Sequence, residues 1–146
     1  MDTDRGADVR EIEAIIASQF NSLNWGPEKS ADWHAFSSDF APSALLYPAA
    51  RPAKPQNVEA FIDRMKGLAE GRLGSFEEAV LGVRIRVFGN VAVAVAGCAM
   101  TENANQSNHC VEMMLLVKSE GRWQIVSQAW DSARPSLPLP ADLLGP

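Results

Sequence analysis

Residues 109–135 read HCVEMMLLVKSEGRWQIVSQAWDSARP, and the interpretation of this stretch decides the fold. Two apolar runs of strand length, 109–118 and 123–131, flank Ser119-Glu120-Gly121-Arg122, a turn signal that closes a hairpin. One acid, Glu112, interrupts the first run, and Gln128, Trp130 and Asp131 end the second. Polar groups embedded in strands otherwise built for burial mark the lining of a pocket.

Working back from the hairpin, two more strands precede it. After Gly74 the pattern alternates: Ala79, Leu81, Val83, Ile85 and Val87 fall on one face, with Glu78, Arg84 and Arg86 on the other. Gly89-Asn90 then turns the chain into a strand over 91–101, and residues 103–106 turn it into the strand over 109–118. Residues 91–100 and 111–117 are apolar on both faces, so something must cover each face. Helices cover one; a second copy packed sheet to sheet is the expected cover of the other, unless Ala92, Ala94 and Ala96 simply tolerate exposure. One register of the central pair sets Cys98 opposite Cys110, which allows a cross-strand bond or two reduced, buried thiols; a cytosolic chain favours the thiols.

The N-terminal half is helical. A helix is predicted over 8–23, with Asp8 as cap, Glu11 completing a capping box, and Val9, Ile12, Ile16, Phe20 and Leu23 as its apolar stripe. A second helix is expected over 30–40, carrying Trp33, Phe36 and Phe40 on one side. A short strand follows over 44–47, then a proline-rich surface loop to Pro55. Asn57 caps a third helix that runs to about Ala69, with Val58, Phe61, Ile62, Met65 and Leu68 buried. Three helices, one short strand and a four-stranded antiparallel meander make an α+β pattern with helices on one face of a curved sheet.

The 146 residues suit a single domain, with residues 1–7 as a flexible N-terminus and 135–146 as a proline-rich C-terminal arm. Hydrophobic residues make up 47% and charged residues 21%, the balance of a water-soluble globular chain. A net charge of −5 argues against nucleic-acid and anionic-membrane partners. Residues 1–7 lack the apolar core of a secretory signal, and no run approaches the roughly 20 apolar residues that span a bilayer. A cytoplasmic location is expected. Two cysteines and two histidines without ligand spacing predict no metal site, and no cofactor motif is present.

The segments DWHAFSSDFAPSALLYP (32–48), VFGNVAVAVAG (87–97) and GRWQIVSQAWDSARPSLPLP (121–140) resemble the nuclear transport factor 2-like superfamily, which includes SnoaL-like polyketide cyclases and ketosteroid isomerases. The likeness covers nearly the whole chain. It looks closest to a bacterial subgroup of small, uncharacterised members with a similar Trp-Asp-x-x-Arg-Pro and proline-rich tail. The resemblance implies a cone-shaped, cystatin-like fold whose helices and concave sheet enclose a cavity. It also implies a homodimer through the sheet.

For chemistry, the resemblance is selective. Ketosteroid isomerases place a carboxylate base at the end of the short strand, where this chain has Tyr47, and an oxyanion-donating tyrosine late in the first helix, near Gln19 or Phe20 here. Their buried acid falls near Glu112. One role of three is present, so steroid-type isomerisation is not supported. The catalytic candidates are Glu112, as a general acid or hydrogen-bond donor with a raised pKa, Tyr47 and His34. Each has a plain alternative. Glu112 can face a partner sheet or pair with Arg84 or Arg86, Tyr47 can point its hydroxyl into water, and His34 can sit on the helix surface. Gln128 and Trp130 alternate with Trp123 and Ile125, so each pair takes one face. The resemblance puts Gln128 and Trp130 on the cavity, with Gln19, Phe20, Trp33 and Met114 as further ligand contacts; Trp130 as plain core is the alternative. His109 belongs on the rim, Asp39 caps or closes the second helix, and Asp131 can pair with Arg134 to fix the tail. Two functions stay open: a pocket that binds a small, mostly apolar metabolite, or a cofactor-free isomerase, cyclase, dehydratase or hydrolase using Glu112 and Tyr47. A protein–protein module is a third.

Overall fold

The computed structural model describes residues 2–145. The elements run α1 (Asp2–Ser22), α2 (Trp33–Ser38), β1 (Phe40–Tyr47), β2 (Gln56–Asn57), α3 (Val58–Glu70), β3 (Phe76–Phe88), β4 (Val91–Glu102), β5 (Gln106–Ser119) and β6 (Arg122–Ser132), then a 3-10 turn at Ala141–Leu143. All six strands form one sheet in the order β2-β1-β6-β5-β4-β3. The last four are the antiparallel meander, and β1 joins it parallel to β6.

Helix α1 begins six residues before the predicted cap, so Asp8 is not an N-cap and residues 2–7 form the first turns. The reason is tertiary. Asp8 is buried and its Oδ1 accepts hydrogen bonds from Trp123 Nε1 (2.9 Å) and Lys118 Nζ (3.0 Å). Glu11, the other half of the expected box, accepts from the backbone N–H of Trp123 at 3.1 Å. These contacts tie α1 to the β5–β6 hairpin, while Ile12, Ile16, Phe20 and Leu23 bury the expected stripe. Helix α2 is shorter than predicted because Phe40 opens β1 instead of closing the helix. Asp32 caps α2 through Ala35 N, and Asp39 closes it. Asn57 caps α3 through Ala60 N at 2.7 Å, as its position predicts.

Two bulges decide which way the strands face. In β3 the pairing slips between Val80 and Gly82, so Glu78 and Val80 turn inward together with Val83, Ile85 and Val87. The expected placement of Glu78 beside Arg84 and Arg86 is thereby overturned; both arginines are exposed. In β6, Val126 is skipped, Ser127 pairing with Leu115 and Ile125 with Leu116. Trp123, Ile125, Gln128 and Trp130 therefore share the inner face, rather than splitting into two pairs on opposite faces.

Ala92, Ala94, Ala96 and Cys98 are buried on the inner face of β4, so the alanines do not serve as tolerated surface. On the outer face, the arm covers part of the sheet. Gly82 pairs with Gly97, and a Cβ at Gly97 would meet Leu143 O at 2.4 Å. Leu143 is buried on this bare glycine floor. Beyond the arm, Val91, Val93, Met113 and Leu115 stay exposed. No helix among the described residues is long and apolar enough to cross a membrane.

Candidate functional site

Inside the cone, α1, α2, α3 and the concave sheet enclose a cavity of about 170 Å³. Its walls are mainly apolar, from Phe20, Phe36, Leu46, Phe61, Met65 and Trp130, with the Trp130 ring edge-on to Phe61 at 5.7 Å. Four buried polar side chains also line it, each from a different element: Gln19 (α1), Glu78 (β3), Glu112 (β5) and Gln128 (β6). Glu112 and Gln128 are 5% and 2% exposed, which excludes the partner-sheet and arginine-paired readings of Glu112.

These groups form one hydrogen-bonded line. Gln19 Nε2 donates to Gln128 Oε1 at 2.9 Å, and Gln128 Nε2 donates to Glu112 Oε1. Glu78 and Glu112 hydrogen-bond each other, and the Cys110 thiol donates to Glu78 Oε2 at 3.7 Å. Burial raises the Glu78 pKa well above the ordinary carboxyl value, and the charge and hydrogen bond of Glu112 and the Cys110 thiol push it further. Burial also raises Glu112, but the bonds from Glu78 and Gln128 oppose the shift. Burial thus favours the protonated form of both carboxyls, which share a hydrogen bond and titrate as a pair.

Cys98 and Cys110 stand directly opposite on β4 and β5, as one register predicts, and both are free and buried. The hydrogen bond to Cys110, followed by burial, pushes the Cys98 thiol up, so it stays protonated. The donor atoms of Glu78, Cys98, Cys110 and Glu112 lie within 4.8 Å of one another. Two sulfurs and two oxygens at that span can hold a borderline cation such as zinc, a possibility that residue spacing along the chain did not reveal. With protons in place the set is already satisfied. Among the described residues, the buried side-chain N and O atoms without partners are elsewhere, at Gln19 Oε1, Asp39 Oδ2 and Gln56 Oε1.

The remaining candidates divide. Gln19, Phe20, Gln128 and Trp130 line the cavity as expected. Met114 is buried on the inner face, opposite Gln128, without lining it. Trp33 packs against Trp25 at 5.9 Å, away from the glutamates. Tyr47 ends β1 half-buried and His34 is exposed on α2; the structure brings neither to the cavity. His109 is exposed and Asp131–Arg134 is a surface ion pair at 3.9 Å, both as read from sequence. Sequence reasoning missed Glu78. Its signal was Gly82, since a glycine inside a strand marks a bulge and a bulge inverts the faces on either side.

Comparison with known proteins agrees with this architecture. A family model described as SnoaL-like domain matches residues 28–130. Among solved structures, a hexachlorocyclohexane dehydrochlorinase from Novosphingobium barchaimii LL02 superposes with a TM-score of 0.77 at 14% identity, over 92% of each chain. A putative scytalone dehydratase from Novosphingobium aromaticivorans DSM 12444 gives 0.75 at 11%, over 92% of this chain and 89% of that one. A protein of unknown function from Pseudomonas putida KT2440, described as NTF2-like, gives 0.73 at 14%, over 94% and 96%. No curated protein sequence matches. With the model spanning most of the chain and a six-stranded curved sheet of this order, the chain belongs to the SnoaL-like family of the nuclear transport factor 2-like superfamily.

Proposed function

We propose that the cavity binds a small, mostly apolar molecule and that the Glu78–Glu112 pair moves a proton on it without a cofactor. The observation that carries this reading is the pair itself: two buried, hydrogen-bonded carboxyls on the wall of a mainly apolar cavity. Glu112 accepts a proton from a substrate carbon or hydroxyl; Glu78, whose pKa is raised well above the ordinary value, supplies one to the group that leaves or is reprotonated. Such a pair performs an isomerisation, or an elimination in which a C–H proton and a leaving group depart together. A dehydrochlorinase and a putative dehydratase among the structural neighbours support the elimination form. Glu78 takes the second acid/base role that Tyr47 was expected to fill.

The test is turnover of small cyclic halides, alcohols and β-hydroxyketones, followed by halide release or alkene formation. Glu112→Gln is expected to lower the rate about 100-fold or more, the usual weight of a positioned acid or base. Full turnover in both Glu112→Gln and Glu78→Gln would sink the proposal.

We also propose that the uncovered outer face forms a homodimer. Val91, Val93, Met113 and Leu115 are 44–57% exposed there, beside a groove of about 590 Å³ between the sheet and the residues 137–140 of the arm. A second copy is the cover that a twofold, self-complementary sheet face selects. A location in the cytoplasm is part of the same reading.

A further inference from the structure

We infer that Glu78, Cys98, Cys110 and Glu112 form a tetrahedral site for one thiophilic divalent cation of the zinc type, and that the loaded site no longer moves protons. The binding site stands on its own four residues. Only its effect on turnover rests on the proton-transfer reading of the carboxyl pair.

Three neighbouring strands assemble the ligands. The β4–β5 register sets Cys98 directly opposite Cys110, and Glu112 follows Cys110 by two residues on the same inward face. Glu78 comes from β3, turned inward beside them by the bulge between Val80 and Gly82. All four side chains are buried, and their positions are fixed by the backbone ladder of one sheet, so the ligands are held together before any ion arrives.

The dimensions suit a small four-coordinate ion. Zinc bonds of ordinary length place tetrahedral ligand atoms about 3.3 to 3.8 Å apart. Here the four donor atoms lie within 4.8 Å of one another, and Cys110 Sγ is already 3.7 Å from Glu78 Oε2. Closing the rest is a contraction on the order of 1 Å, which side-chain torsions can supply. The hydrogen bonds that now join the four groups occupy the centre of the set, and a cation replaces the protons in them.

The donor chemistry selects the ion. Two sulfurs and two oxygens suit a borderline or soft cation, whereas Mg²⁺ and Ca²⁺ take about six or more oxygens. Two thiolates balance a divalent charge, and two carboxyl oxygens complete the tetrahedron whichever of that pair carries a proton. Gln128 hydrogen-bonds Glu112 and steadies it, a support that ligating carboxylates commonly have. Entry is through the cavity: Glu78 and Glu112 are on its wall, and the cysteines are buried deeper. An ion therefore meets the carboxyls first and the thiols next. Once bound, it holds both carboxyls that the proposed reaction needs free.

Cobalt is the probe, because thiolate-bound Co²⁺ gives an intense ligand-to-metal absorption and the chain has only two cysteines. Titrated into the reduced full chain, Co²⁺ is expected to saturate at one ion per molecule and to be displaced by Zn²⁺. At about a hundredfold excess over its Kd, Zn²⁺ should raise the melting temperature by about 5–10 °C. Cys98→Ala with Cys110→Ala should abolish both the absorption and the shift. Glu112→Gln, which keeps the shape and the hydrogen-bonding capacity of the side chain, should weaken Zn²⁺ binding at least about tenfold and covers the case in which the double variant does not fold. Absence of the thiolate absorption in the folded wild type overturns the inference, as does Zn²⁺ affinity unchanged in Glu112→Gln. Turnover by the metal-free protein should stop on Zn²⁺ loading and return with EDTA; turnover that continues with the site full overturns the blocking effect. A chain that binds the ion as described but turns nothing over when metal-free keeps the site and loses the proton-transfer reading. Turnover without any thiolate absorption does the reverse.

Discussion

Glu78 and Glu112 illustrate how a single side chain's role depends on its neighbours. Burial drives each toward its neutral form, and a hydrogen bond joins the two. Glutamine at position 78 keeps a donor for Glu112 and removes the titration. Because the folded-state pKa of Glu78 lies above its ordinary 4.5, the native protein retains a proton that the unfolded chain releases, so stability falls as pH rises above that value. Glu78→Gln is therefore expected to melt higher than the wild type at pH 8 and with little difference at pH 4, while turnover falls. Calorimetry across that range checks it. Asp39 behaves in the same sense on a smaller scale. Burial lifts it to about 6, against a hydrogen bond from Ser18 and the charge of Arg122. Asp39→Asn should gain roughly 1 kcal/mol at pH 8, after allowance for partial solvent screening, and nothing below pH 4. A denaturant titration showing equal gains at both pH values would contradict it. Glu112 was legible in the sequence as an acid inside an apolar run. Glu78 was not, because strict alternation assigned it to the face of Arg84 and Arg86.

At the scale of elements, the two bulges and the glycine pair matter most. Helix α1, α3 and the four-stranded meander were readable from period and punctuation, since the local pattern of each strand or helix repeats over several turns or residues. The bulges were not, because one inserted residue leaves composition unchanged while it reverses every facing beyond it. The arm's seat shows the same limit. Gly82 and Gly97 are adjacent only through the β3–β4 register, and only there do they admit Leu143. Gly97→Ala places a methyl against the Leu143 carbonyl and is expected to cost about 1–3 kcal/mol, the range for overpacking. Thermal melts would read the loss, and faster proteolysis of residues 135–146 would show that the arm has lifted. Unchanged stability and protection would mean that the arm is not seated there.

The whole molecule is a half-covered sheet wrapped around a cavity. If the outer face pairs with a second copy, sedimentation will give twice the 15.8 kDa chain mass. Met113→Glu, which sets a charge in the middle of the apolar strip, should yield monomers that still bind small apolar molecules. A wild-type monomer at micromolar concentration would remove the dimer from the proposal without touching the cavity. By itself, the sequence determined the class of fold, the meander with its turns and the burial of the α1 and α3 stripes. These depend on patterns local enough to survive without knowledge of contacts. Only the tertiary structure decided that Asp8 binds Trp123 and Lys118 instead of capping a helix, that Tyr47 and His34 stand apart, and that Glu78 meets Glu112. Those outcomes depend on register and bulges across strands remote in the chain, where a shift of one residue chooses between cavity and solvent. The hairpin at 109–135 thus carried Glu112 and Gln128 in plain view, but their partners came from β3 and α1, which only folding brings to them.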